Sequence, residues 1–167
     1  MRFSLLSVLV FFAAGILIPA GSVAHEIVSF NGYAAGTIIV KTNERRLYYT
    51  LDNGKAVRYP VGVGRAGKAW SGAAYIAAKY IKPGWSPPAE IKHDKPSLPD
   101  LIPGGSPRNP MGAAAMTLSE GQYAIHGTNA PNSIGGFVSY GCIRMYNQDV
   151  MDLYDRVSVG TKVLVFR

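Results

Sequence analysis

Eight prolines crowd between Lys82 and Met111: Pro83, Pro87, Pro88, Pro96, Pro99, Pro103, Pro107 and Pro110. Each fixes φ and removes a backbone donor, so the segment is excluded from being a central strand or a helix. A stretch of this length inside a compact domain is uncommon, and is more often a functional lid or wall than a linker. With Trp85 among its prolines, it is expected to pack along the surface. The pieces flanking it are too small to fold as separate domains.

Those flanks read as strands. Thr37-Ile38-Ile39-Val40 and Arg46-Leu47-Tyr48-Tyr49-Thr50-Leu51 are rich in β-branched and aromatic residues. Asp52-Asn53-Gly54-Lys55 is a hairpin turn, and Ala56 to Val63 is the returning strand. Tyr75 to Ile81, Ala113 to Leu118, Tyr123 to His126 and Lys162 to Phe166 continue the pattern. One helix is expected over Gln148 to Val157, where Val150, Leu153, Tyr154 and Val157 share a face and Asn147 is a suitable cap. The reading is a mostly-β domain with one short helix near its end.

The chain of 167 residues opens with a basic start at Arg2, an apolar run from Phe3 to Ile18 and a break at Pro19. Ser22 and Ala24 then place small side chains where a signal peptidase requires them. Residues 1–24 therefore read as a secretory leader and residues 25–167 as a single domain. The apolar run falls short of the roughly 18 residues that span a bilayer. His25 would be the new first residue and is expected to be disordered. The formal charge of +7 suits an anionic polymer outside the cytoplasm, but no basic helix or aromatic-interleaved basic run points to nucleic acid.

Cys142 is the only cysteine. An exported chain with one thiol cannot form an internal disulfide and risks unwanted coupling, so the thiol calls for a chemical reason. A thiol needs a base, and His126, at a strand end and followed by Gly127, is the best placed. His93 sits among charged residues and is expected to be solvated. Imidazole would take the thiol proton, the sulfur would attack a carbonyl, and the imidazolium would protonate the departing amine. No acidic residue stands near either partner, so a backbone carbonyl, that of Gly127, is expected to orient the ring. Gly141 permits a tight turn that presents the sulfur, with backbone N–H groups facing a developing oxyanion. Arg144, two residues on, shares a face with Cys142 if the segment is extended, and its guanidinium suits a carboxylate. Zinc is the competing use of Cys and His, but there is no second cysteine and no spaced histidine pair, so no metal or other cofactor is expected.

The order and flanks of these motifs resemble the L,D-transpeptidase catalytic domain family of the YkuD type. The resemblance runs from about Gly36 to Phe166. It is most specific at Ile125-His126-Gly127-Thr128 and at Ser139-Tyr140-Gly141-Cys142-Ile143-Arg144-Met145. It implies a β-sandwich-like fold with one or two short helices, and a location in the periplasm or cell envelope. It also implies a reaction. The cysteine attacks the third, L-centred residue of a peptidoglycan tetrapeptide stem, releases terminal D-alanine, and passes the acyl group to an amine acceptor, giving a cross-link to a second peptide, attachment of a protein to the wall, or exchange of the terminal D-amino acid. Carried over by position, Cys142 is the nucleophile, His126 the general base and acid, Gly127 the orienting carbonyl and Gly141 an oxyanion donor, while Ser139, Tyr140 and Arg144 bind substrate. Tyr140 departs from the family's frequent histidine, and Trp70-Ser71-Gly72 replaces a common threonine-proline turn.

Three rival readings remain open. A papain-like or wall endopeptidase would use the same pair, although those chains generally place cysteine before histidine. Water in place of an amine would make the enzyme an L,D-carboxypeptidase. A wall-binding protein without catalysis is the third, against which both His126 and Cys142 stand.

Overall fold

The computed structural model describes residues 25–167; the expected leader, residues 1–24, lies outside them. Eleven strands run in chain order: β1 Glu26–Ser29, β2 Ile38–Lys41, β3 Arg46–Leu51, β4 Lys55–Pro60, β5 Val63–Gly64, β6 Gly72–Ile81, β7 Ala114–Leu118, β8 Ala124–His126, β9 Phe137–Ser139, β10 Ile143–Arg144 and β11 Lys162–Phe166. Two helices join them, α1 Ala89–Asp94 and α2 Asn147–Arg156, and a 3-10 turn spans Pro131–Ser133. Nine strands form one sheet in the order β1-β4-β3-β2-β11-β6-β7-β8-β10, and β5 pairs with β9.

The expected sandwich-like arrangement is therefore made by one sheet that curls over. Residues from both of its halves, Val40, Leu47 and Tyr59 on one side and Met116, Ile125 and Ile143 on the other, enter a common core. Gly62, just past β4, exchanges backbone hydrogen bonds of 2.9 and 2.8 Å with Arg144 in β10, which brings the far ends of the sheet together. Helix α2 drives Val150, Leu153 and the following Val157 into the same core.

The β3–β4 hairpin turns through the three residues Asp52, Asn53 and Gly54 between the paired Leu51 and Lys55, and Asn53 and Gly54 take left-handed φ of 59° and 66°. Strand β2 is buried on both faces: Ile38 and Val40 face the main core, and Ile39 joins Tyr48 and Ala56 under Phe30. Phe30 stacks on Tyr48 at 4.3 Å and follows β1, which pairs antiparallel with β4.

Three expectations need correction. The proline-rich segment does contain a helix, α1, because Pro87 and Pro88 precede it and no proline falls between Ala89 and Lys95. Proline before a first turn costs nothing, since those N–H groups lack intrahelical partners. Asn147 does not cap α2; it is the first helical residue, and its side chain points elsewhere. His25 is not disordered: its Nδ1 lies 3.2 Å from Asp149 Oδ1 in α2.

Candidate active site

Strands β8 and β10 run parallel, with Ile143 opposite Ile125 and Arg144 opposite His126. Partners in neighbouring strands share a face, so both isoleucines enter the core while His126 and Arg144 point to the other side. Cys142, two residues before Arg144, joins them. All three line a cavity of about 330 Å³.

His126 is 4% exposed. Its Nδ1 lies 2.6 Å from the carbonyl oxygen of Gly127, which can only accept, so the ring proton sits on Nδ1 and the Nε2 lone pair is free. Burial, reinforced by the charge of Arg144, pulls the imidazole down to about 4, with the carbonyls of Gly127 and Pro110 acting the other way. The ring is thus neutral near neutral pH. Burial pushes the Cys142 thiol up, while a backbone contact from Ala124 and the Arg144 charge oppose it. The sulfur lies 3.9 Å from the carbonyl of Gln122, and no hydrogen bond joins it to His126 among the described residues.

The turn that presents Cys142 is braced on two sides. Gly141 has φ of 119°, and a Cβ there would stand 2.3 Å from the Tyr123 ring. Tyr123 stacks on Trp70 at 4.8 Å, and the Trp70 indole donates to the Gly141 carbonyl at 3.0 Å. Ser139 Oγ donates to the Cys142 carbonyl at 2.6 Å and accepts from the Gly141 N–H at 3.1 Å.

Arg144 is half-buried at the same cavity, and its Nε is buried without a hydrogen-bond partner. Burial lowers the guanidinium pKa from its ordinary value, although the group stays charged. A buried cation with an unmet donor suits an arriving carboxylate.

The opposite wall comes from the proline-rich segment, with Trp85, Pro88, Ile91 and Pro110 facing the cavity. Tyr140 reaches across: its hydroxyl donates to Asp94 Oδ2 at 2.6 Å, and the Arg65 guanidinium lies 4.0 Å above its ring. Asp94 also pairs with Arg65 at 3.0 Å. The Tyr140 hydroxyl, then Arg65, hold the Asp94 carboxyl down at about 2. A second cavity of similar size adjoins the first, sharing Tyr123, Tyr140 and Cys142 with it and reaching Lys68 and Glu90.

The L,D-transpeptidase catalytic domain family, YkuD, matches residues 35–165. The chain belongs to this family. The probable L,D-transpeptidase ErfK/SrfK of Escherichia coli K12 is 39% identical over 137 residues, covering 77% of this chain and 43% of that protein. The chain thus spans less than half the length of that relative. An L,D-transpeptidase structure from Mycobacterium smegmatis superposes with a TM-score of 0.62 at 19% identity, over 78% of this chain and 58% of that one, a likeness of fold. A Brucella melitensis structure, described as a probable carnitine operon oxidoreductase, is 41% identical with a TM-score of 0.57, over 85% of this chain and 92% of that one.

Within this YkuD-type domain the expected residues Cys142, His126, Gly127, Tyr140 and Arg144 lie together. Two of the expected roles fit less well. Ser139, expected to bind substrate, is 2% exposed and spends its hydroxyl inside the 139–142 turn. The Gly141 N–H, expected as an oxyanion donor, is already taken by Ser139. His93 is exposed, as its charged neighbours suggest.

Asn147 is the residue that sequence reasoning missed. Its Oδ1 accepts from Ala113 N at 3.0 Å and Thr128 N at 3.1 Å, and its Nδ2 donates to Thr128 O at 3.0 Å. It clamps the loop after His126 against the loop before β7. A Cβ on Gly127 would stand 2.3 Å from Asn147 Oδ1, so only glycine fits beside the clamp. The available signal is an asparagine next to the helix start, which by position alone reads as a cap.

Proposed function

We propose that this chain is an exported peptidoglycan L,D-transpeptidase that works through an acyl-enzyme on Cys142. The observation that carries the reading is the 2.6 Å contact of His126 Nδ1 with the Gly127 carbonyl, which assigns the tautomer. With Nδ1–H committed to Gly127, the basic Nε2 is left for the cavity that Cys142 lines. A stem peptide of the cell wall supplies the donor, and an amine on a second peptide or a wall-attached protein supplies the acceptor.

Both resting partners are neutral, since burial lowers the imidazole and raises the thiol. The proton therefore moves from sulfur to Nε2 as the S–C bond forms, after rotation of the thiol away from Gln122. Sγ attacks the carbonyl carbon of the third, L-centred residue, and negative charge collects on its oxygen. The Cys142 N–H, without a hydrogen-bond partner among the described residues, is the donor left to receive that charge; losing one such donor costs about 10²–10³ in rate. Collapse breaks the C–N bond, and the imidazolium protonates the departing D-alanine amine. The acceptor amine then attacks the thioester and gives its proton to Nε2, the C–S bond breaks, and the imidazolium returns that proton to the Cys142 sulfur. Arg144 holds a substrate carboxylate, and Tyr140 stands where the two cavities meet.

Removal of residues 1–24 and delivery to the periplasm or envelope belong to this reading, with residues 25–167 acting as one catalytic domain. Among the described residues, no helix is long and apolar enough to cross a membrane.

Intact-mass analysis after incubation with a tetrapeptide-stem muropeptide tests the proposal. A thioester adduct is expected in wild type and none in Cys142→Ala; an adduct that survives the substitution sinks it. Muropeptide products with and without an added amine acceptor then separate transfer from hydrolysis.

A further inference from the structure

A buried carboxylate outside the reaction cavity lacks part of its partner set. Asp149, in the first turn of α2, is 0% exposed. Its Oδ1 lies 3.2 Å from His25 Nδ1, and its Oδ2 has no hydrogen-bond partner among the described residues. A buried carboxylate oxygen left unpaired is costly, and one partly satisfied site in an otherwise apolar helix face asks what else belongs there.

The charged groups nearby are already engaged. Asp152, one turn along α2, takes Arg156 in a two-point contact of 2.9 Å each, and also accepts from the Tyr59 hydroxyl. The Tyr59 ring leans on His25 at 5.3 Å and closes that side. What remains is His25 itself, which carries more than a ring. It directly follows Ala24, the junction at which the leader pattern places cleavage. In the uncut chain its main-chain nitrogen is a neutral amide. Hydrolysis of the Ala24–His25 bond by an envelope peptidase puts the water hydroxyl on the Ala24 carbonyl carbon and a proton on the His25 nitrogen; the new Ala24 carboxylic acid then releases its proton, and the amine takes up a second one near neutral pH. The product is an ammonium with three donors. Within one histidine the main-chain nitrogen lies roughly 3–5 Å from Nδ1, and Nδ1 already meets Asp149 Oδ1, so rotation at the freed terminus brings the new charge within reach of the Asp149 carboxylate.

We propose that Asp149 is the receiving site for the α-ammonium created at His25, and that this pairing locks α2 against the sheet after the leader is removed. The consequence reaches the site because α2 begins with Asn147, the clamp behind the His126–Gly127 corner. A chain that keeps its leader has the carboxylate without its charge partner, and holds the clamp less firmly. The inference rests on the leader reading; it does not depend on acyl transfer.

The test uses full-length chain exported and processed in a cell, with Cys142→Ala as a parallel inactive background. Intact mass should place the new N-terminus at His25; any other first residue overturns the proposal. Selective acetylation of the α-amine should lower Tm by about 5 °C in the wild type and by less than about 1 °C in Asp149→Asn. Equal shifts in both overturn it. Should Asp149→Asn fail to fold, the wild type alone decides: the ¹³C-dimethylated His25 amine, followed by NMR, should titrate above the usual range of about 7.7–8.0 for an α-amine. A value within or below that range overturns the proposal. Because both readouts hold in Cys142→Ala, failure here is distinguishable from failure of the catalytic reading.

Discussion

Behind His126 every hydrogen bond ends on backbone or on a neutral amide, whereas the proline-rich wall opposite is tied down by charge. The His126 ring leans on the Gly127 carbonyl, and Asn147 fixes the loop that carries it. Helix α1 buries no residue and is moored by Asp94 to Arg65 and Tyr140, and by Glu90 to Lys68. Neutral bonds inside a dry corner hold one geometry and are not screened by salt. Exposed ion pairs contribute little and weaken as ionic strength rises. On the proposed mechanism, the part that moves protons is thus fixed where solvent cannot compete, and the part that admits substrate is held by contacts that solvent can loosen.

If that contrast holds, damage to the fixed side should be severe. His126→Gln removes the proposed base while keeping a polar side chain of similar reach, and kcat for D-alanine release is expected to fall about 10²–10⁴-fold. Retention of more than a tenth of the activity would break the comparison at its strongest point.

The same ring ties stability to pH. Its folded pKa of about 4 lies below the ordinary value of 6.5, so between these limits the unfolded chain binds more protons than the folded one. Stability is therefore greatest above pH 6.5 and declines as pH falls towards 4, by up to about 3 kcal/mol from this group. Urea midpoints from pH 7 to 4 should show that slope in the wild type and a shallower one in His126→Gln. Asn147→Ala comes next: the loop carrying Gly127 loses its clamp, and kcat should fall about 10-fold to 100-fold with KM little changed. Because a loss of folded protein would also lower apparent kcat with KM unchanged, kcat is taken per folded enzyme, with the folded fraction fixed by circular dichroism.

What the chain discloses before folding follows from how local each signal is. The alternation in β3 and β4, the Asn53-Gly54 turn and the apolar face of α2 are set by neighbours within a few residues, and they read directly. Helix α1 was hidden because its own residues are ordinary while the prolines around it dominate the composition. Strand β1 exposes most of its side chains and so lacks an alternating pattern. Strands β5 and β10 are only two residues long and exist through distant partners. The pair proposed for the reaction was legible as a candidate because its residue types are rare and chemically demanding. Asn147 was not, since Ala113 and Thr128 meet it only after the sheet has curled.

The smallest expected effect lies on the wall and sharpens the contrast from its other side. Asp94→Asn keeps an acceptor for the Tyr140 hydroxyl but removes the charge that Arg65 answers. If the wall governs access rather than chemistry, KM for the stem peptide should rise about twofold to fivefold while kcat stays within about twofold. Salt provides an internal control, because screening acts on the same charges. Raising NaCl from about 0.05 to about 0.5 M shortens the Debye length from beyond 10 Å to a few ångströms, and should raise KM in the wild type more than in Asp94→Asn. A drop in kcat comparable to that of Asn147→Ala would mean that Tyr140, through its bond to Asp94, positions the Cys142 turn itself. The division between a fixed floor and a salt-sensitive wall would then fail.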